Sequence, residues 1–260
     1  MTDRADRITE ASTAHALELE RVSRHFGALV ALDSVNLAVG AGERRAVLGA
    51  NGAGKTTLFN CITGDFPPTS GRIRFFGENV TTLPPHQRIR RGLRRTYQNS
   101  LLFRALSVFD NLFLSVRGAT RGRFSVVRAR DDDGTVEQAV MLMHAVHLEH
   151  ASARPVGELS HGEQRQLEIG LSLAGAPRFI LFDEPAAGLA PRERAELVAI
   201  LRSLPAHIGY IIIEHDLDVA LRVVESVTIM NDGRIFKEGS PEAIESDPEV
   251  QEIYLGGKHG

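Results

Sequence analysis

Phe179-Ile180-Leu181-Phe182-Asp183-Glu184 and Tyr210-Ile211-Ile212-Ile213-Glu214-His215 are the stretches on which the fold of this chain turns. Each begins as a continuous apolar run rather than an alternating one, which suits a parallel strand covered on both faces. Each then stops abruptly at ionisable side chains. Two earlier segments share this form: Ala46-Val47-Leu48 runs into Gly49, and residues 93–97 run into Gln98. In an open parallel sheet, ligands bind outside the carboxyl ends of the strands, so the four ends are expected to share one edge. Helical patterning near residues 192–203 and 217–224 separates the later strands, which makes the class α/β.

Outward from these strands the pattern changes twice. Residues 17–22, 32–39, 44–48, 72–76 and 93–98 read as short strands broken by Gly and Pro, with one helix starting near Gly54. From about residue 107 to 175 the periodicity is helical, and a Gly/Arg-rich, then acidic, stretch at 118–134 is expected as an exposed loop. A helical subdomain inserted between two α/β halves follows.

Composition excludes more than it names. Of 260 residues, 43% are hydrophobic and 24% charged, which is ordinary for a globular chain. No apolar run approaches the roughly 18 residues that span a bilayer, and residues 1–16 are polar with no apolar core, unlike a signal peptide. Any membrane role is therefore expected through a partner. A net charge of -3 gives no global basic field, so nucleic acid is not an expected partner. Arg88, Arg90, Arg91, Arg94 and Arg95 form a local basic cluster, read as a solvated helix face and loop or as a mark of an anionic partner. The single cysteine, Cys61, allows no internal disulfide and fits a reducing compartment.

The strongest motif follows the first strand end. Gly49-Ala50-Asn51-Gly52-Ala53-Gly54-Lys55-Thr56 matches G-x-x-x-x-G-K-[ST]. Glycines let the backbone wrap tightly enough for successive N–H groups to point inward, and the helix that follows aims its positive end at the phosphates. Lys55 is expected to reach the β and γ phosphates of ATP, and the Thr56 hydroxyl to ligate Mg²⁺. Asp183 can hold the same ion directly or through water, while Glu184 can polarise an attacking water. A lone histidine such as His215 is more often structural, and Gln98 alone says less. Ser160-His161-Gly162-Glu163 fits a helix capping box, which also creates a helix end that favours anions.

Taken in order, these segments resemble the nucleotide-binding subunit of ATP-binding cassette (ABC) transporters from about residue 17 to 255. The resemblance makes residues 49–56 the Walker A loop, with Asn51, Gly52, Ala53, Gly54, Lys55, Thr56 and Thr57 binding nucleotide. It makes Gln98 the Q-loop glutamine, a catalytic residue with Glu184 and His215 and a metal ligand with Thr56 and Asp183. Residues 159–163 become the LSGGQ signature, with Ser160, Gly162 and Glu163 at the nucleotide. Phe179 to Asp183 becomes Walker B, Glu184 the catalytic carboxylate, His215 the switch histidine, and Phe26 the aromatic that stacks on adenine. The implied fold is a phosphate-loop ABC ATPase core with an N-terminal antiparallel β subdomain and an inserted α-helical subdomain at about 99–175. Residues 1–16 would be a polar tail, 17–260 one nucleotide-binding domain, and 247–260 a C-terminal tail packing on its own chain.

In that family two cassettes face head to tail, so each ATP lies between the Walker motifs of one subunit and the signature of the other. The implied partners are a second cassette, identical or homologous, two transmembrane permease subunits and, indirectly, a substrate-binding protein. The implied place is the cytoplasmic face of the inner membrane. The chain departs from the pattern at His161, at Glu163 and at Ala190, where an aspartate often stands. Asp183-Glu184-Pro185-Ala186-Ala187-Gly188-Leu189, Ile213-Glu214-His215-Asp216 and the tail at 247–256 narrow the resemblance to the larger ATPase subunit of branched-chain amino acid importers. Urea or short-amide importers share much of this pattern, including a histidine in the signature, and the lipopolysaccharide-export ATPase has a similar tail. A soluble ABC protein of DNA repair or translation would need a second cassette or a long insertion, and a phosphate-loop kinase leaves the signature and His215 unexplained. A nucleotide-binding regulator that does not hydrolyse is disfavoured by Glu184.

Overall fold

A computed structural model describes residues 15–97, 102–119 and 134–255. In chain order its first elements are β1 (His15–Phe26), β2 (Leu29–Gly40), β3 (Arg44–Leu48), α1 (Lys55–Thr63), β4 (Ser70–Phe75) and β5 (Glu78–Asn79). Then come α2 (Pro85–Arg90), β6 (Leu93–Arg95), α3 (Val108–Ala119), α4 (Thr135–Ala145), α5 (His161–Leu173) and β7 (Phe179–Asp183). The chain continues through α6 (Pro191–Ser203), β8 (Gly209–Ile213), α7 (Leu217–Val223), β9 (Ser226–Asn231), β10 (Arg234–Gly239), α8 (Pro241–Glu245) and α9 (Pro248–Leu255).

Two sheets result. The first is antiparallel, in the order β2-β1-β4-β5. The second runs β10-β9-β3-β8-β7-β6, with β9, β3, β8, β7 and β6 parallel and β10 antiparallel at one edge. Because β3, β8, β7 and β6 are adjacent and parallel, their carboxyl ends lie on one edge, as the strand endings predict.

The continuous apolar runs are explained by two cores. Phe179, Leu181, Ile211, Ile213 and Val47 face a core shared with α1 and the antiparallel sheet. Ile180, Phe182, Tyr210, Ile212, Ala46 and Leu48 face a second core, built with α3 to α7. Side chains alternate across a strand, so a strand with a core on each side has no position left for a polar residue until it ends. Each fully buried large apolar side chain stabilises the sheet by about 1.5–3 kcal/mol. α3, α4 and α5 pack against one another and against the second core. At the carboxyl end, Val250 is buried in that same core and Asp247 pairs with Lys237 of β10.

Three local readings change. β1 begins at His15, so the end of the polar tail already pairs with β2. β6 stops at Arg95 rather than running to residue 98: Thr96 still donates to Leu181 O at 2.9 Å, and there the pairing ends. α2 stands inside the stretch read as strands, a helix too short for periodicity to reveal, with proline in its first turn. Gln98 and residues 120–133 of the expected loop lie outside the described residues.

The arginine cluster is also not one surface. Arg88 is 1% exposed and donates to the carbonyls of Cys61 and Ile62 at 2.7 Å, Leu83 at 2.8 Å and Thr81 at 3.0 Å. Two of these acceptors belong to the last turn of α1, whose carbonyls lack intrahelical donors. Burial pushes the Arg88 guanidinium down to about 10, still charged at neutral pH. Arg88→Met is expected to lower unfolding free energy by about 3 kcal/mol or more, because buried carbonyls lose their donor. Arg90→Ala, at an exposed position, should change it by less than about 0.5 kcal/mol. Urea denaturation of both variants checks this, and equally small effects would return Arg88 to the solvated surface.

Candidate functional site

β3 ends in fully buried Leu48, and the chain passes through residues 49–54 into α1. Gly54 caps α1 at φ 99°, a conformation that suits glycine, and a Cβ there would stand 2.6 Å from Ala31 O. The loop is braced from outside: Gly233 N donates to Ala53 O at 3.1 Å, and Asp33 N to Gly233 O at 2.9 Å. Lys55, 6% exposed, donates from Nζ to Gly49 O at 2.6 Å and Ala50 O at 3.0 Å. Burial holds its ammonium below the usual lysine range, and Glu184 and Asp183 oppose that shift. The ammonium therefore sits folded over the loop, satisfied by the loop's own carbonyls.

Above it opens a cleft of about 310 Å³. Phe26, Asn51, Gly52, Ala53, Gly54, Lys55, Thr56, Thr57, Glu184 and His215 are brought together in its lining, with Leu29 to Ala31 beside Phe26. Phe26 is 43% exposed and meets Phe66 edge to face at 5.4 Å. The Arg24 guanidinium lies over both rings, at 4.6 Å from Phe26 and 4.7 Å from Phe66. One end of the cleft is thus a fixed aromatic surface and the other a phosphate-sized loop.

Asp183 stands at the end of β7, 2% exposed. Its Oδ2 accepts from Arg95 Nη2 at 2.7 Å, while Oδ1 is buried with no hydrogen-bond partner among the described residues. Arg95 also donates to Asn60 Oδ1 at 2.6 Å and Asp65 Oδ2 at 3.0 Å, tying β6 and α1 to Asp183. Glu184 follows in the left-handed region at φ 51°, its N–H donating to Ile213 O at 2.9 Å. His215 Nε2 lies 2.8 Å from Glu184 Oε1. A carboxylate and an imidazole in contact beside a phosphate loop can hold and move the proton of a water.

A sequence profile described as ABC transporter matches residues 32–187, and one described as branched-chain amino acid ATP-binding cassette transporter matches residues 238–260. The chain belongs to the ABC transporter family. It is 35% identical over 248 residues to the high-affinity branched-chain amino acid transport ATP-binding protein BraF of Pseudomonas aeruginosa, covering 92% of this chain and 97% of the relative. It is 35% identical over 249 residues to the high-affinity branched-chain amino acid transport ATP-binding protein LivG of Escherichia coli, with the same coverages of 92% and 97%. Among solved structures, the ADP conformation of MJ1267, an ATP-binding cassette of an ABC transporter, superimposes with a TM-score of 0.82 at 32% identity, covering 93% of this chain and 99% of that one. As a cassette of this family the chain is a nucleotide-binding ATPase subunit.

The segment expected to be the signature, residues 159–163, leads into α5. Ser160 Oγ accepts from Glu163 N at 3.1 Å and Glu163 Oε2 accepts from Ser160 N at 2.7 Å, a complete capping box. Glu163 Oε1 is further engaged by His150 Nε2 at 3.0 Å and Arg154 Nη1 at 3.1 Å, so this carboxylate shapes the helix start. Among the described residues, those lining the phosphate-loop cleft include none from α5. Gly162 N instead donates to Glu193 Oε1 at 3.1 Å, and a Cβ on Gly162 would meet that oxygen at 2.5 Å. Glu193 Oε2 accepts from Ala190 N at 2.9 Å, which is half of a capping box, since alanine carries no oxygen for the other half. A Cβ on Gly188 would lie 3.2 Å from the His161 ring, so the segment carrying Ala190 and the start of α5 are packed together.

Arg95, Glu193, Glu214 and Arg24 are the residues that sequence reasoning passed over. Arg95 was hidden in a run of arginines, and its ion pair spans 88 positions. Glu214 is 2% exposed and its carboxyl is pushed up to about 7, by burial first, against hydrogen bonds from Ala186 N and His215 N. The one available signal was its place between an apolar run and His215.

Two outcomes are expected. Phe26→Ala should weaken ATP binding more than inorganic triphosphate binding, measured by calorimetry, and equal losses would remove Phe26 from the adenine. For Glu214, the folded carboxyl titrates near 7 and the unfolded one near 4.5, so the folded state holds the extra proton between those values. Stability linked to this group is therefore full below pH 4.5 and is lost as pH rises through about 7. Relative to Glu214→Gln, the parent should lose about 3 kcal/mol across that window, read as a narrowing difference in Tm.

Proposed function

We propose that this chain hydrolyses ATP to drive an importer of branched-chain or other hydrophobic amino acids. It works as one of two head-to-tail cassettes, identical or homologous, beneath two transmembrane permease subunits supplied by a substrate-binding protein. The place of action is the cytoplasmic face of the inner membrane; among the described residues no helix is long and apolar enough to cross a bilayer. The observation that carries the hydrolytic reading is the Glu184 to His215 contact at 2.8 Å on the rim of the phosphate-loop cleft. The amino acid class is supported by the relatives' names and by the profile match at the C-terminal tail.

The residues divide the work by position. Phe26, backed by Arg24, offers its ring to the adenine. Lys55 exchanges its two loop carbonyls for the β and γ phosphates, and the amides of residues 51–57 surround them. Thr56, Asp183 and Gln98 would hold Mg²⁺, for which the buried Asp183 Oδ1, without a partner among the described residues, is a suitable donor atom. When bound there, the ion would supply neutralisation of charge on the phosphates. Glu184 accepts the proton of the attacking water, with His215 holding that carboxylate and the phosphate in register.

One chain carries only half of the site. The start of α5, with Ser160 and Gly162, completes the cleft of the second cassette. The Gly162 amide is engaged by Glu193 within its own chain, so that carboxylate has to give way before the amide reaches a phosphate across the interface.

Glu184→Gln is expected to cut ATP turnover by roughly 10² to 10⁴ while ATP affinity is retained and an ATP-dependent dimer persists. ATPase rate against protein concentration, with light scattering alongside, checks this. Parental turnover in the variant, or a rate per subunit independent of concentration, would leave a monomeric phosphate-loop enzyme instead.

A further inference from the structure

Glu214 is a buried carboxylate with no part in the steps above. It follows β8 directly, and its two oxygens reach different segments. Oε1 accepts from Ala186 N at 2.6 Å, two residues beyond Glu184, and Oε2 from His215 N at 3.3 Å. The parallel pairing of β7 with β8 ends at Asp183 opposite Ile213, and Glu184 N to Ile213 O is the last bond between the two backbones. Past that point no backbone bond among the described residues joins the two segments, and the Glu214 side chain bridges them. In front, the side chains of Glu184 and His215 are themselves in contact at 2.8 Å.

The turn needs this support. Glu184 sits in the left-handed region at φ 51°, which costs a non-glycine residue about 1–2 kcal/mol. Ala187 N to Glu184 O at 3.1 Å closes the turn, but does not fix it relative to the switch loop. A carboxylate can accept from two N–H groups with different oxygens, whereas a carboxamide offers one oxygen and presents N–H donors on the other side. The task therefore calls for a carboxylate rather than a carboxamide, although burial disfavours the ionised form.

We propose that Glu214 is a positioning residue for hydrolysis, holding the Glu184 turn and the His215 loop at one separation so that the two side chains meet over the γ-phosphate. This rests on the hydrolytic reading above. The cavity beside it, about 520 Å³, is lined also by Glu184, Arg194, Asp216 and Asp218. Arg194 pairs with Asp216, and among the described residues Glu214 has no cation as partner and is held by backbone N–H groups.

The experiment compares ATPase kinetics, ATP affinity and Tm for the parent, Glu214→Gln, His215→Ala, the double variant and Glu184→Gln, all as full chains. Displacement of a reacting group by about 1 Å lowers rate on the order of 10²-fold, so Glu214→Gln should reduce kcat by roughly 10- to 100-fold. KM for ATP and Tm at pH 8 should stay near parental values. In the His215→Ala background the same change should cost little more, because its effect passes through the pair it aligns. Parental kcat in a folded Glu214→Gln overturns the proposal. So does a loss that is additive with His215→Ala, or one that tracks a fall in Tm, since either marks a purely structural carboxylate. Parental turnover in Glu184→Gln would instead strike at the hydrolytic reading itself.

Discussion

A parallel strand enclosed on both faces has no place for a polar side chain until the strand stops. β7 and β8 obey this along their whole length, with successive residues given alternately to two cores. The site depends on it, since Asp183, Glu184, Glu214 and His215 all stand at or just past the ends of these strands. Adjacent parallel strands bring those endings to one edge, and the phosphate loop that leaves β3 opens onto the same edge. The arrangement concentrates negative charge beside a site for phosphates, which only cations and N–H dipoles can offset.

The offsets are distributed over distant parts of the chain. Arg95 from β6 pairs with Asp183, Lys55 lies buried near both Asp183 and Glu184, and Glu214 has backbone N–H groups in place of a cation. Desolvated charges of this kind are costly unless every lone pair and proton finds a partner. Among the described residues the one buried side-chain acceptor left over is Asp183 Oδ1, which lies where the proposed Mg²⁺ would sit. Away from the cleft the same logic recurs at Arg88, whose buried guanidinium satisfies carbonyls that end α1. The α5 start is satisfied from within as well, through Glu163 and Glu193.

Much of this was legible in one dimension. Apolar runs that do not alternate marked β7 and β8, the G-x-x-x-x-G-K-T spacing marked the loop before α1, and the S-x-x-E spacing marked the α5 cap, because each depends on neighbours within a few residues. The strand endings even predicted their shared edge. α2 was missed because six residues cannot display a helical period, and the end of β6 because its residues remain strand-like after pairing stops.

The sequence by itself determined the α/β class, the phosphate loop, the acidic strand end and the family, since local spacing and period carry all four. Only the tertiary structure decided which arginine is a core residue, which one neutralises Asp183, and that Glu193 occupies the Gly162 amide while Glu214 ties two loops together. Those are contacts between segments 27 to 88 positions apart, made by side chains whose sequence neighbours look the same as those of any surface charge. Burial and pairing are properties of the packed chain, and no local pattern encodes them.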